Sequence, residues 1–127
     1  MAEVVLDASA LLALLNSEAG ADVVAEAIPE ATISAVNLSE VVSKLRETGM
    51  PEKFVRQVLQ PIGLEVLPFD EEQAYMAGLL RNATQSAGLS LGDRACLGLA
   101  QKLGLAVLTA DRTWQGLPLD VTVRLIR

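Results

Sequence analysis

Histidine is absent from this 127-residue chain. Its absence removes Ser-His-Asp and Cys-His catalysis, histidine general bases and histidine-ligated zinc together. A single cysteine cannot form an internal disulfide and fits a reducing cytoplasm. Aromatic residues make up only 3%, so a core must be built from Leu, Val, Ala and Ile, as in layered α/β proteins. No apolar run reaches the length of a membrane span, and Asp7 interrupts the longest early one. The first residues carry Glu3 and no basic side chain, unlike a secretory signal. Basic residues are also few. Ten Lys and Arg stand against sixteen Asp and Glu, for a net charge of −6. That balance argues against loose, charge-driven binding to nucleic acid, which needs cations to displace counterions from phosphates. An acidic protein can still act on phosphates if a bound metal ion reverses the local field.

What is present is a hydrophobic chain (51%) of a length suited to one domain, residues 1–127, with a sizeable core. Its first motif is Val4-Val5-Leu6-Asp7-Ala8-Ser9-Ala10-Leu11-Leu12. β-Branched residues give way to strong helix formers, which predicts a buried strand over Val4 to Leu6 and a helix from Ser9. Asp7 then lies where a strand stops and a helix starts. In open α/β sheets ligands bind at that edge. Asp7 or Ser9 would equally serve as a helix N-cap.

Further along, Asn16-Ser17 marks a break, and Glu18 to Ile28 reads as a second helix ending before Pro29. Ala31 to Ser34 is a short strand. Asn37 opens a helix that stops at Gly49, and Pro51 starts another that ends at Pro61 and Gly63. Leu64 to Leu67 is a third strand. Asp70 with Gln73 has the capping-box pattern for a long helix to Ala87, closed by Gly88. Ser90 opens a helix that ends at Gly104; Leu105 to Leu108 and Val121 to Leu125 complete five strands. Strands alternating with long helical stretches predict a mainly parallel sheet covered by helices on both faces, an α/β/α sandwich. Ala110 to Asp120 is short for a full crossover, which leaves the direction of the last strand open.

Most of the acidic residues have surface or capping explanations. Glu18, Asp22 and Glu26 share one helix flank at spacing four. Asp70 caps a helix. Four others stand beside apolar runs at structural junctions: Asp7, Glu40, Asp93 and Asp111. Each also has an ordinary explanation. Asn37 with Glu40, and Ser90 with Asp93, have the spacing of capping pairs; Asp111 is able to cap a short turn, and first-turn carboxylates favour the helix dipole. The combination carries more than its parts. In a parallel sheet the strand ends and the following helix starts share one rim, which brings together Asp7, Glu40 and Asp111. Asp93 follows a helix, and periodicity alone does not place it there. Carboxylates brought close must take up protons or share a cation. Oxygen ligands without histidine or thiolate select Mg²⁺ or Mn²⁺, which suit phosphodiester hydrolysis.

Leu6-Asp7-Ala8-Ser9, Asn37-Leu38-Ser39-Glu40-Val41, Leu91-Gly92-Asp93-Arg94-Ala95 and Leu108-Thr109-Ala110-Asp111-Arg112-Thr113-Trp114 resemble, in order and spacing, the motifs of PIN-domain ribonucleases. Within that family the chain is most similar to VapC toxins of bacterial type II toxin–antitoxin pairs. The resemblance covers nearly the whole chain. It implies a three-layer α/β/α domain with a five-stranded parallel sheet and Mg²⁺- or Mn²⁺-dependent cleavage of RNA. It also implies Asp7 and Asp93 as direct metal ligands, with Glu40 completing the acidic pocket and orienting water. Asp111 would be a more variable fourth carboxylate. Ser9 and Thr109 would be hydroxyls that steady the site. It implies a homodimer as well, held in check by a cognate antitoxin that places a basic side chain among the carboxylates.

Trp114 reads as packing rather than as an RNA-stacking group, and Cys96, among Leu97, Leu99 and Ala100, as a core thiol. Arg94 and Arg112 adjoin proposed ligands and are candidates for phosphate contacts, against solvated or acid-paired roles. A haloacid-dehalogenase-like phosphatase would need Asp where Ser9 stands. A receiver domain would need a Lys where Leu108-Thr109-Ala110 stands. A PIN-like module that only binds a protein partner remains the alternative.

Overall fold

The computed structural model describes residues 2–127. Five strands, β1 (Val4–Leu6), β2 (Ala31–Ser34), β3 (Glu65–Leu67), β4 (Ala106–Thr109) and β5 (Val123–Leu125), form one sheet in the order β3-β2-β1-β4-β5. Every neighbouring pair is parallel. The fifth strand, whose direction the sequence left open, joins the others without a full helical crossover. A 3-10 turn over Arg112–Trp114 suffices, because Trp114 and the half-buried Leu117, Leu119 and Val121 pack on the cluster around Leu97 and Val107.

Among the described residues seven α-helices surround the sheet: α1 (Ala8–Leu15), α2 (Ala21–Ala27), α3 (Ala35–Glu47), α4 (Glu52–Leu59), α5 (Glu71–Leu79), α6 (Arg81–Thr84) and α7 (Leu91–Leu103). The central strand β1 is buried throughout, and its side chains alternate between two cores. Val5 meets Cys96, Leu97, Val107 and Trp114 on the α7 side. Val4 and Leu6 meet Ala10, Ala13, Val24 and Leu108 on the side of α1 and α2. A third cluster joins Leu11 and Ile33 to Val41 and Leu45 of α3. The α/β/α layering expected from the sequence is thus the observed one.

Four local expectations are corrected. The second helix begins at Ala21 rather than Glu18, because Gly20 takes a left-handed conformation at φ 93°. Glu18 therefore leaves the shared flank and pairs with Arg127 at 3.1 Å. Helix α3 begins at Ala35 with Ser34 as its cap, so Asn37 is not a cap and Glu40 lies in the second turn rather than the first. Pro51 is the N-cap residue of α4 rather than part of its first turn. The long helix expected from Asp70 to Ala87 stops at Leu79, and α6 is separate. Asp70 does cap α5, accepting from Gln73 N at 2.9 Å.

A candidate acidic metal centre

β1 pairs Leu6 with Leu108 of β4, so Asp7, just past the end of β1, lies beside Thr109, the last residue of β4. Asp7 is only 4% exposed, and hydrogen bonds fix both its carboxylate oxygens. Oδ1 accepts from Ser9 Oγ at 2.7 Å and from Ala10 N at 2.9 Å. Oδ2 accepts from Thr109 Oγ1 at 2.6 Å. The two hydroxyls are themselves held. Ser9 Oγ accepts from Ala110 N at 2.9 Å, and Thr109 Oγ1 from Asp111 N at 3.0 Å. Each hydroxyl thus receives one backbone N–H and passes its own proton to Asp7, which fixes the carboxylate as acceptor. The cap and the candidate ligand are therefore one group. Burial pushes the Asp7 carboxyl above its ordinary value. The bonds from Thr109, Ser9 and Ala10 pull it back, and the charge of Asp93 raises it again.

Glu40 is half-buried on α3, at the wall of an open cleft of about 540 Å³ that also touches Ser39, Pro68 and Phe69. Its Oε1 accepts from Asn37 Nδ2 at 2.8 Å, and the same amide nitrogen donates to Gly92 O at 2.9 Å. Asn37 thus ties α3 to the first turn of α7 from a position only 1% exposed. Sequence reasoning read Asn37 as a cap and passed over Gly92. The one available signal was a glycine in a helix start, where alanine is the better helix former.

Asp93 closes a full capping box on α7. Its Oδ2 accepts from Ser90 N at 2.9 Å, and Ser90 Oγ accepts from Asp93 N at 3.2 Å. Its charge nevertheless reaches Asp7. The buried Cys96, one turn further along α7, is pushed well up by burial and then by the charges of Asp7, Asp93 and Glu40. Three of the four selected carboxylates therefore act on one interior point. Asp111 stands apart. It caps the 3-10 turn, taking Thr113 N at 2.9 Å and Thr113 Oγ1 at 2.7 Å on Oδ1, and joins Asp7 only through its backbone bond to Thr109.

The arginines part company. Arg94 forms no ion pair among the described residues and does not lie free in solvent; its Nη1 donates to Ala77 O of α5 at 3.0 Å, and its buried Nε has no partner among them. It ties α7 to α5, which argues against a phosphate contact. Arg112 is exposed at the rim beside Asp111. Lys44 pairs with Glu47, not with Glu40. Among the described residues no Lys or Arg forms an ion pair with Asp7, Glu40, Asp93 or Asp111.

A divalent cation fits this donor set. The donors are carboxylate oxygens, one of them deeply buried, with no cationic side chain to neutralise them. Among the described residues no group of three Asp, Glu or Cys side chains is placed to hold a metal ion together. A caged site suits Ca²⁺ or structural zinc, whereas Mg²⁺ keeps several waters and takes only one or two carboxylates. The open, oxygen-only arrangement is of the second kind.

The comparisons with known proteins agree with this architecture. VapC ribonuclease Mb2780c of Mycobacterium bovis is 32% identical over 114 residues, 82% of this chain and 87% of the relative. Ribonuclease VapC42 of Mycobacterium tuberculosis matches to the same extent. The DNA-bound VapBC structure from Salmonella typhimurium shares the fold at a TM-score of 0.78 and 22% identity, covering 100% of both chains. A toxin–antitoxin complex from Klebsiella pneumoniae does so at 0.76 and 23%, covering 98% of each. The PIN-domain family model matches residues 4–118, and with relatives at this level of identity the chain belongs to the PIN-domain family, among its VapC-like members.

Proposed function

We propose that this chain is a single PIN domain acting as a Mg²⁺- or Mn²⁺-dependent endoribonuclease, the toxin of a toxin–antitoxin pair working in the cytoplasm. The observation that carries the reading is Asp7: a buried carboxylate, fixed at both oxygens, raised by burial and by Asp93, with no cation paired to it among the described residues. Asp7 and Asp93 would hold the ion, with Glu40 completing the pocket and Asp111 contributing from the rim. When bound, the ion supplies Lewis acidity toward a phosphate oxygen and toward water. The chain supplies the rest. Ser9 and Thr109 fix the direction of the Asp7 lone pairs. Asn37 occupies Oε1 of Glu40, which leaves Oε2 to accept a proton from an attacking water. The cleft beside Glu40 gives a single strand room to approach, and Arg112 at the rim is positioned for a backbone phosphate.

The same uncompensated charge supports an antitoxin partner that inserts a basic side chain, since Arg pairs well with closely set carboxylates. A homodimer is supported by Tyr75, Leu79 and Leu91, which expose large apolar side chains on α5 and at the start of α7, two helices that pack together. No helix of the described residues is long and apolar enough to cross a membrane.

Cleavage of a defined RNA by the wild type and by Asp7→Asn, with Mn²⁺ and with chelator, tests the reading. Metal-dependent cleavage is expected from the wild type and none from the variant. Equal behaviour of the two proteins, with or without metal, would instead identify a PIN-like module that only binds a protein, a role the closed capping box at Asp93 would also suit.

A further inference from the structure

Glu40 does not reach its place by its own helix alone. A Cβ built on Gly92 would lie 2.5 Å from the Glu40 carboxyl carbon and from both its oxygens. The carboxylate is therefore packed directly onto the α-carbon of a residue in the first turn of α7, next to Asp93. Gly92 has no positive φ to require glycine, and alanine is the better helix former at such a position. On the other side, Asn37 spends both amide hydrogens on Glu40 Oε1 and Gly92 O. The amide cannot be turned over, because Asn37 Oδ1 would then face two acceptors. Held as it is, Oδ1 is buried with no partner among the described residues. A buried amide is left half-satisfied and a helix keeps a weak helix former, and both concessions serve the position of one carboxylate.

We infer that Asn37 and Gly92 are positioning residues that seat Glu40 against the start of α7 and so set the affinity of the acidic centre for a divalent cation. This rests on the metal-site reading proposed above. Gly92 provides the space and Asn37 provides the direction. A methyl group at 92 displaces only the far end of a flexible side chain, so the fold tolerates it while the carboxylate moves. Truncating Asn37 frees the carboxylate to turn toward solvent.

The test is Mn²⁺ binding to the full chain without RNA, read from the loss of the free-ion electron paramagnetic resonance signal, with thermal midpoints measured on the same samples. Gly92→Ala is expected to keep or raise the midpoint by about 2–5 °C while weakening Mn²⁺ binding about ten-fold, a loss of roughly 1.4 kcal/mol. Asn37→Ala is expected to weaken binding to a similar degree. In a Glu40→Ala background neither change should weaken binding further, because no carboxylate remains to be seated. Wild-type affinity in both variants would overturn the inference. An undiminished effect of either substitution in the Glu40→Ala background would also overturn it, because it would reveal a merely structural role. Mn²⁺ binding that survives Asp7→Asn unchanged would sink the metal-site reading itself, and this inference with it. Loss of binding in Asp7→Asn with no effect at 37 or 92 would overturn the inference alone.

Discussion

Thr109 Oγ1 and Asp7 Oδ2 stand 2.6 Å apart although 102 positions of sequence separate them. The bond exists because β1 and β4 are parallel neighbours whose pairing runs to Leu6 and Leu108, one residue before each of these two. Thr109→Val keeps the shape of the side chain and removes the donor. A buried carboxylate then loses one of its three donors, and Asp111 N loses its acceptor. A cost of about 1–3 kcal/mol is expected, measured by urea unfolding at neutral pH. The cost should shrink in acid, where Asp7 is protonated and less dependent on the hydroxyl. A variant as stable as the wild type at every pH would show that the bond contributes nothing to the fold.

The pH dependence of the metal-free protein follows from the same carboxylate. The folded Asp7 has a value raised above the ordinary 3.8, chiefly by burial. Its contribution to stability is therefore full below the unfolded value and is lost as pH rises through the folded one. Relative to Asp7→Asn, the wild type should lose stability as pH rises through that window and level off above it. Subtracting the variant removes what groups remote from Asp7, such as the exposed Glu30, contribute in common. Added Mn²⁺ at neutral pH should reverse the sign for the wild type only. An ion at about a hundred times its dissociation constant stabilises by roughly 2.7 kcal/mol. Thermal scans across pH with and without Mn²⁺ decide both points, and a pH-independent difference between the two proteins would contradict the first.

Much of this site was legible in the sequence. The switch from Val4-Val5-Leu6 to Ala8 onward located Asp7 at a strand end, because a change of hydrophobic period is a local signal. Glu40 and Asp93 were selected by type and junction, and both lie close enough to act on Cys96. The role of Asn37 was not legible, since the N-x-x-E spacing is shared by a helix cap and by a buried tether. Only the position of α7, far along the chain, separates the two. Arg94 was misread for a related reason. Its acceptor is a backbone carbonyl of α5, and carbonyls carry no sequence signature. The break at Leu80 was also hidden, since Gly78 lies inside the last turn of α5 and neither Gly nor Pro stands at the break itself.

Trp114 and Cys96 test the interior beneath the centre. Trp114 is fully buried in the cluster of Val5, Leu97 and Val107, and its indole N–H has no partner among the described residues. Trp114→Ala should cost about 3–5 kcal/mol by urea unfolding. Trp114→Phe should cost much less, because no hydrogen bond is lost. The fluorescence of this single tryptophan should resist quenching by acrylamide and change little on addition of RNA. A large quench by RNA would indicate stacking instead. The Cys96 thiol should stay unreactive toward thiol reagents until the protein unfolds, since burial and three carboxylates hold it protonated.

The two arginines should respond oppositely. Arg94→Ala removes the bond to Ala77 O and loosens α7 on α5, at an expected cost of about 1–3 kcal/mol. With the protein kept folded, RNA affinity should be nearly unchanged. Arg112→Ala should leave stability within about 0.5 kcal/mol. It should weaken RNA binding and reduce the slope of log affinity against log salt by about 1. Filter binding of a non-cleaved RNA to an Asp7→Asn background at several salt concentrations measures both. A salt slope that falls on loss of Arg94 would return that residue to the phosphate-binding set.

Leu79 is 80% exposed and Tyr75 68%, one helical turn apart on α5. Apolar side chains so placed lower the free energy of association more than that of folding. For the homodimer proposed above, Leu79→Lys should therefore leave the thermal midpoint of the monomer within a few degrees while shifting the sedimentation coefficient from dimer to monomer. A charge on that face of both copies would be buried without a partner on association, a loss of several kcal/mol at most sites. Because α5 also holds Arg94 of α7 through Ala77 O, the same shift should be absent in Arg94→Ala, which alters packing behind the face rather than the face itself. Sedimentation velocity over a concentration series separates the two. A wild type that sediments as a monomer throughout would exclude the second copy as the occupant of this surface.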